Sequence, residues 1–404
     1  MRINLLLLLF LLPICCFAQY SISGKIVNAI DGSPFADASV FLSKTTVGTK
    51  SNADGTFTLN NALPGQYTLA VSAIGFETYN QEILIDKSIT IADIKLIPKT
   101  TVLQDVVIRI DPNREKYVKI FTEQFLGKYD NARQSKILNP EVVNFYFDKI
   151  TNILTATADD FLEIENKALG YKVKYLLKDF EYADNDGSGK TSYEGDFLFE
   201  KLKGKLKDEA RWQRNRLNAY KGSARHFFRS AIGNIIPDEG FTVYRIKREV
   251  NDGTEDTAFI RSRIDYLSQK VIDGRPVKLN DSLQYYIKKR DGIPVLRLDK
   301  AELSPLDYIT NTDRKGLYAI RLDTQPKDLL FVIYNNRKDE RAIYDFFNGS
   351  FSTNKQATII SFDKSYATFD INGMLNSSKS LTFSGYWTRL RVADLLPVDY
   401  QPGK

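Results

Sequence analysis

Short runs of alternating apolar and polar residues dominate positions 20–98. Ile22 and Ile26 fall on one strand face, and Ala38, Val40 and Leu42 on another. Tyr67, Leu69 and Val71 alternate with Thr68 and Ala70. Turn chemistry breaks the runs at Asp31-Gly32-Ser33-Pro34, Asp54-Gly55 and Pro64-Gly65. Asp-Gly between alternating runs predicts a hairpin, because glycine accepts the positive φ of a tight primed turn. Strands this short, at this spacing, predict a small Ig-like β-sandwich over residues 19–98.

The pattern then changes. Residues 99–137 read as a linker strand followed by an amphipathic helix from Pro112 to about Ser135. Val118, Phe121 and Phe125 supply its apolar spacing. After Pro140 the period returns largely to that of strands. Tyr171, Val173, Tyr175 and Leu177 alternate with Lys172, Lys174 and Lys178. Phe197 and Phe199 form a second such pair, and Leu329 to Tyr334 is a continuous apolar run. Phe369-Asp370-Ile371-Asn372-Gly373 reads as a strand entering a turn. The chain is therefore expected to be mainly β. A sandwich leads into a larger, antiparallel-β-rich α+β domain over residues 138–404.

The first 18 residues belong to neither unit. Arg2 gives a charged start, Leu5 to Leu12 an apolar run, and Cys16-Phe17-Ala18 a small-x-small cleavage site before Gln19. This predicts a secretory leader and an exported protein, periplasmic or associated with the outer membrane. A lipoprotein would need Cys15 or Cys16 at its new N-terminus, and the bulky Ile14 disfavours that processing. Both cysteines fall within the leader, so the mature chain offers no disulfide, thiolate nucleophile or cysteine metal ligand. With a single histidine, sites that need two are excluded, and no metal or other cofactor is expected. Removing Arg2 lowers the formal charge of +6 by one, too mild a balance over this length to imply nucleic acid.

Specific motifs add to this pattern. Ser23-Gly24-Lys25-Ile26-Val27, Asp31-Gly32-Ser33-Pro34 and Ala38-Ser39-Val40-Phe41-Leu42 are followed by Val47-Gly48-Thr49 and Asn52-Ala53-Asp54-Gly55-Thr56-Phe57. Leu63-Pro64-Gly65-Gln66-Tyr67 and Ile74-Gly75-Phe76-Glu77 complete the order. This region resembles the carboxypeptidase regulatory-like domain, a transthyretin-like β-sandwich found after the leader of Bacteroidota envelope proteins. The resemblance implies an accessory module and brings no catalytic residue. The zinc site of true carboxypeptidases needs a His-x-x-Glu motif, whereas His226 is followed three residues later by Arg229.

The same module precedes the plug of TonB-dependent transporters, and Val102 to Ile108 resembles the segment that leads into such a plug. The remaining chain is short for a large plugged barrel. Its later part resembles the second half of Bacteroidota envelope proteins carrying this module. Ile137-Leu138-Asn139-Pro140, Asn166-Lys167-Ala168-Leu169-Gly170-Tyr171, Ala219-Tyr220-Lys221-Gly222-Ser223 with His226-Phe227, and Arg391 to Pro397 carry that resemblance. No activity comes with it.

Asp208 to Ile236 is the most informative candidate segment. At about 100° per residue, Leu217, Tyr220, Ala224, Phe228, Ala231 and Ile235 form an apolar stripe. Arg211, Arg214, Lys221, Arg225 and Arg229 form an adjoining basic arc with no acid between them in sequence. Such a helix would dock one side and offer its cations to phosphate or carboxylate groups. The alternative is a solvated basic face, or cations paired elsewhere in the fold. Gly222 weakens the helix and is a candidate break.

Other chemistry finds less support. Ser223 and His226 lack a Gly-x-Ser-x-Gly elbow or an identifiable third group. Asp184 to Gly189 begins like a calcium loop, but Gly195 holds the position that requires glutamate, so a polar hairpin turn is expected. Acid pairs such as Asp159/Asp160 and Glu163/Glu165 could serve a glycosidase only if the fold sets their separation. Trp212 and Trp387 are either sugar platforms or packing residues. These features predict a non-enzymatic envelope accessory or binding protein, open to peripheral membrane association, with an anionic lipid, a glycan or an envelope protein as partner. The alternative is a glycan- or peptide-acting hydrolase that uses carboxylates of the second domain.

Overall fold

The computed structural model describes residues 19–99, 112–184, 189–249, 257–268, 281–291, 295–324, 328–339, 343–346, 349–377 and 380–403. The leader and the Val102–Ile108 segment lie outside the described residues, as does most of the calcium-like loop. The fold is mainly β, with several antiparallel sheets.

The N-terminal unit is two facing sheets. One centres on Tyr20–Asn28, antiparallel to Thr56–Ala62 and parallel to Ile89–Thr90 and Ile94–Leu96. The other runs Gly48–Lys50, Ser39–Leu42, Gly65–Ser72, Tyr79–Ile85. Their inner faces bury Ile22, Ile26, Val40, Leu42, Leu69 and Val71, the positions set by the two-residue period. Gly55 has φ +80°, and an added Cβ there would lie 2.4 Å from the Ile26 carbonyl oxygen. The Asp-Gly turn thus depends on its glycine.

Phe41 and Ala70 depart from simple alternation. They point away from the sandwich core yet are fully buried, packed with Leu176 and flanked by Phe161 and Leu198. The outer face of the second sheet is therefore an internal interface. Backbone bonds reinforce it, with Lys44 N–H donating to the Phe197 carbonyl at 2.6 Å and Phe199 N–H to the Thr45 carbonyl at 2.9 Å.

A six-stranded sheet follows, centred on Tyr171–Ala183 and paired over its length with Lys190–Lys201. Tyr171, Val173, Tyr175 and Leu177 are buried on one face, as the alternation predicts. A register shift between Leu177 and Asp179 breaks the period. The expected long helix is shorter. Helix α1 spans Arg114–Leu126, ends at Gly127 with φ 100°, and is followed by the single turn α2, Asp130–Arg133. Its buried stripe is Tyr117, Phe121 and Phe125; Val118 is only half-buried. Phe121 and Phe125 stack 4.8 Å apart over the sheet.

The third core lies on a five-stranded sheet, Val295–Glu302, Phe241–Glu249, Leu329–Lys338, Lys355–Phe362, Leu381–Gly385. Its central strand explains the continuous apolar run. Leu330, Val332 and Tyr334 enter one cluster, while Leu329, Phe331 and Ile333 enter another on the opposite face. A strand covered on both faces needs no polar alternation. Helix α3 (Leu206–Tyr220) leads to helix α4 (Ala224–Ile232), which packs on this sheet through Phe227 and Phe228. A pair of helices, α5 (Thr257–Ser268) and α6 (Asp281–Arg290), is inserted between its first two strands. Among the described residues no helix is long and apolar enough to cross a membrane.

The last segment ties the three cores together. Leu390 packs against the third, Val392 and Ala393 enter that of the six-stranded sheet, and Val398 enters that of the sandwich.

Candidate functional site

The single basic helix expected between Asp208 and Ile236 is two helices. Gly222 sits between them at φ +81°, so the chain turns there and the continuous basic arc is divided. Arg211 and Arg214 remain exposed on α3, with Arg211 3.1 Å from Asp208. Lys221, just beyond α3, is also exposed.

Arg225 and Arg229 have a different setting, and they do not form the free basic surface expected from the sequence. The Arg225 guanidinium donates to the carbonyls of Asn372 at 3.1 Å, Pro397 at 2.8 Å and Tyr400 at 3.0 Å, and also to that of Val398. Burial, then the nearby Arg229 charge, lowers its pKa to about 10, so it stays charged at neutrality. Arg229 donates to Gln401 Oε1 at 3.0 Å and lies 5.8 Å from the Tyr220 ring centre. These two arginines clasp the C-terminal segment. Arg216, which the sequence pattern did not single out, is buried where Arg225 and Arg229 are only partly so. It donates to the Leu169 and Gly170 carbonyls and sits 4.2 Å over Tyr171.

His226 is committed on both ring nitrogens. Nδ1 accepts the Gly222 N–H at 3.0 Å, and Nε2 lies 2.9 Å from Glu239 Oε2. This arrangement sets the neutral tautomer with hydrogen on Nε2. Burial among Tyr220, Phe241 and Tyr334 lowers its pKa, outweighing Glu239. Ser223 Oγ caps α4 by accepting the His226 backbone N–H at 3.2 Å. The pair therefore serves structure rather than a nucleophile and its base.

The remaining candidates are also engaged. Glu163 pairs with Lys172 at 2.7 Å and Glu165 with Lys167 at 3.2 Å. Asp159 lies 3.7 Å from Lys99, while Asp160 accepts the Phe161 N–H at 2.7 Å. Trp212 is buried, its indole N–H on the Lys167 carbonyl. Trp387 is buried with its indole N–H on the Gly222 carbonyl at 2.8 Å. Among the described residues no three His, Asp or Glu side chains are placed to hold a metal ion.

What the fold does assemble is a groove of about 810 Å³ where α2, the end of α3 and the five-stranded sheet meet. This size is ordinary for a small-molecule site, about 300–1,000 Å³. Lys221, Arg337, Lys338 and Arg389 bring positive charge to it. Two of its three acids are paired: Asp339 with Arg389 at 2.6 Å, and Asp130 with Arg133, also in the lining, at 3.7 Å. The third, Asp394, accepts Asn131 Nδ2 at 2.9 Å, and burial raises its pKa. Lys221, Arg337 and Lys338 make no ion pair among the described residues; Arg337 donates to Asn218 Oδ1 at 3.2 Å. Lys338 also stands directly across from Lys355 in the strand register, a like-charge pair that is unfavourable by itself. Of the five predicted cations, only Lys221 lines this groove. Arg337, Lys338 and Arg389 come from distant segments with no shared local pattern.

The family comparison reaches residues 22–108 only. A search of curated proteins found no relative. Among solved structures, a type II cohesin–X-dockerin complex from Acetivibrio cellulolyticus matches with 17% identity, 19% of this chain, 56% of that chain and a TM-score of 0.18. This chain thus spans just over half of that structure. A proposed carbohydrate binding protein from Bacteroides uniformis matches at 11% identity over 45% of this chain and 99% of that one, with a TM-score of 0.17. A proposed membrane-associated protein of unknown function from Bacteroides fragilis matches at 9% identity over 91% and 93%, also with a TM-score of 0.17. Scores this low bear on neither fold nor function. The family match is the informative one: residues 22–108 match the CarboxypepD_reg-like domain, so the chain carries that domain at its N-terminus, ahead of a separate β-rich region.

Proposed function

We propose that this is a non-enzymatic binding protein of the cell envelope that holds an anionic envelope component in the groove beside Lys221. The leader-like first 18 residues and the regulatory-like sandwich support export and an accessory role. The observation that carries the reading is the gathering of Lys221, Arg337 and Lys338 around one cavity without acid partners among the described residues. Cations so placed give an anion both steering and a contact that salt screens. The sandwich is then a rigid support, since its outer face packs on the six-stranded sheet through Phe41 and Ala70. Periplasmic or outer-membrane-associated residence is part of the proposal.

The test uses mature chain from Gln19 onward and isolated envelope material. Binding is expected to weaken as salt rises, and the double substitution Lys221→Glu/Lys338→Glu should abolish it with the melting temperature held. Equal retention of the double variant would refute the groove as the binding site. Turnover of envelope glycan or peptide by the same preparation would replace this reading with the hydrolase.

A further inference from the structure

The polar lining of the groove says more about the ligand than its charge does. Five carboxamides line it, from Asn131, Gln134, Asn215, Asn218 and Gln356, the last with a buried Oε1 that has no hydrogen-bond partner among the described residues. Each has only part of its hydrogen-bonding capacity committed among the described residues. Asn131 and Asn215 donate through Nδ2 to Asp394 Oδ1 and the Ala168 carbonyl, leaving Oδ1 of each as an open acceptor. Asn218 uses Oδ1 for Arg337 and leaves its NH₂ as an open donor. The exposed Gln134 side chain offers both.

A bare anion cannot meet this set. Phosphate and carboxylate oxygens accept, so they answer cations and the Asn218 NH₂ but leave the two Oδ1 acceptors unmatched. Hydroxyls both donate and accept, and several hydroxyls on one scaffold satisfy a mixed row of amides. Tyr129 and Tyr386 add aromatic walls, while among the described residues Ala219 and Leu390 are the only aliphatic side chains in the lining, a poor match for an acyl chain.

Resting on the groove reading above, we infer that the ligand is a short acidic saccharide. Its hydroxyls meet the open ends of Asn131, Gln134, Asn215 and Asn218, and its acidic group lies against Lys221, Arg337 and Lys338. Lys338 stands opposite Lys355 at the end of the central strand, so an acidic group there would offset two like charges.

The experiment titrates mature protein with defined probes. These are trigalacturonate, a sialylated trisaccharide and a hyaluronan tetrasaccharide, with maltotriose, phosphatidylglycerol vesicles and a polyglutamate peptide as contrasts. At least one acidic saccharide is expected to bind in preference to every contrast. Lys338→Glu should weaken it by more than about tenfold, and Gln134→Ala by about fivefold. Both variants should melt with wild type. Lys338-dependent binding of vesicles or polyglutamate, with none of the three saccharides, would overturn the saccharide and leave the anion groove standing. Maltotriose binding as tightly as the acidic sugars would overturn the acidic part. No Lys338-dependent binding by any probe would overturn both readings.

Discussion

Lys221 and Arg225 stand four residues apart on one stretch of basic sequence, and the fold gives them opposite tasks. Arg225 is closed in against four backbone carbonyls, three of them in the C-terminal segment. Lys221 opens onto the groove with no acid partner among the described residues. The difference arises at Gly222. Its positive φ turns α4 away from the axis of α3, carrying Arg225 inward and leaving Lys221 at the surface. A cation becomes structural where the surrounding chain supplies acceptors, and remains available where it does not.

Removing the Arg225 guanidinium should have the largest effect. Arg225→Met leaves four carbonyls to find new partners and releases the segment that joins the three cores. The expected loss of stability is on the order of 4 kcal/mol in denaturant unfolding. A loss under about 1 kcal/mol would show that the clasp does not hold the tail.

Gly222→Ala tests the hinge that separates the two regions. A Cβ there would stand 2.6 Å from Tyr334 Cδ1 and 2.8 Å from Gln356 Oε1, at a φ of +81°. Strain and overlap together should cost about 2–3 kcal/mol. Because Gln356 also lines the groove, envelope binding should fall as well. Wild-type binding in a destabilised Gly222→Ala protein would uncouple groove from hinge.

Acidity should act on the hinge through His226. Burial lowers its pKa below the ordinary value of 6.5, so the folded protein favours the neutral ring. The unfolded chain therefore takes up the proton first as pH falls. The His226 contribution is intact above the unfolded pKa and is lost as pH descends through it toward the folded value. Protonation would also remove the acceptor used by the Gly222 N–H. Unfolding measured from pH 8 to pH 5 should show a decline that His226→Gln flattens. Parallel curves for the two proteins would remove His226 from the account.

Much of the first unit was legible because its signals are local. Alternation placed Ile22, Ile26, Val40, Leu42, Leu69 and Val71 inside, and Asp54-Gly55 marked a turn that has no room for a side chain. Phe41 and Ala70 were not legible as interface residues. Alternation says only that they leave the sandwich core; what covers them depends on Leu176, far along the chain. The groove failed to appear in the sequence for the same reason. Its cations come from the end of α3, the end of the Leu329–Lys338 strand and the approach to the C-terminal segment, and the basic residues closest together in sequence were mostly drawn elsewhere. Periodicity reports which side of an element is covered, but not which elements meet.

The smallest effect belongs to the cations that neither region uses. Arg211 makes an exposed pair with Asp208, and Arg214 is exposed on α3. Neither lines the groove or reaches the C-terminal segment. Exposed pairs of this kind contribute about 0–1 kcal/mol, and salt screens them further. Arg211→Ala and Arg214→Ala should each leave stability within about 0.5 kcal/mol of wild type. Their binding should follow the wild-type salt dependence closely, while Lys221→Glu departs from it. If Arg211→Ala or Arg214→Ala weakened envelope binding as much as Lys221→Glu, the relevant surface would be the broad basic side of α3. The contrast drawn at Gly222 would then have to be redrawn along that helix.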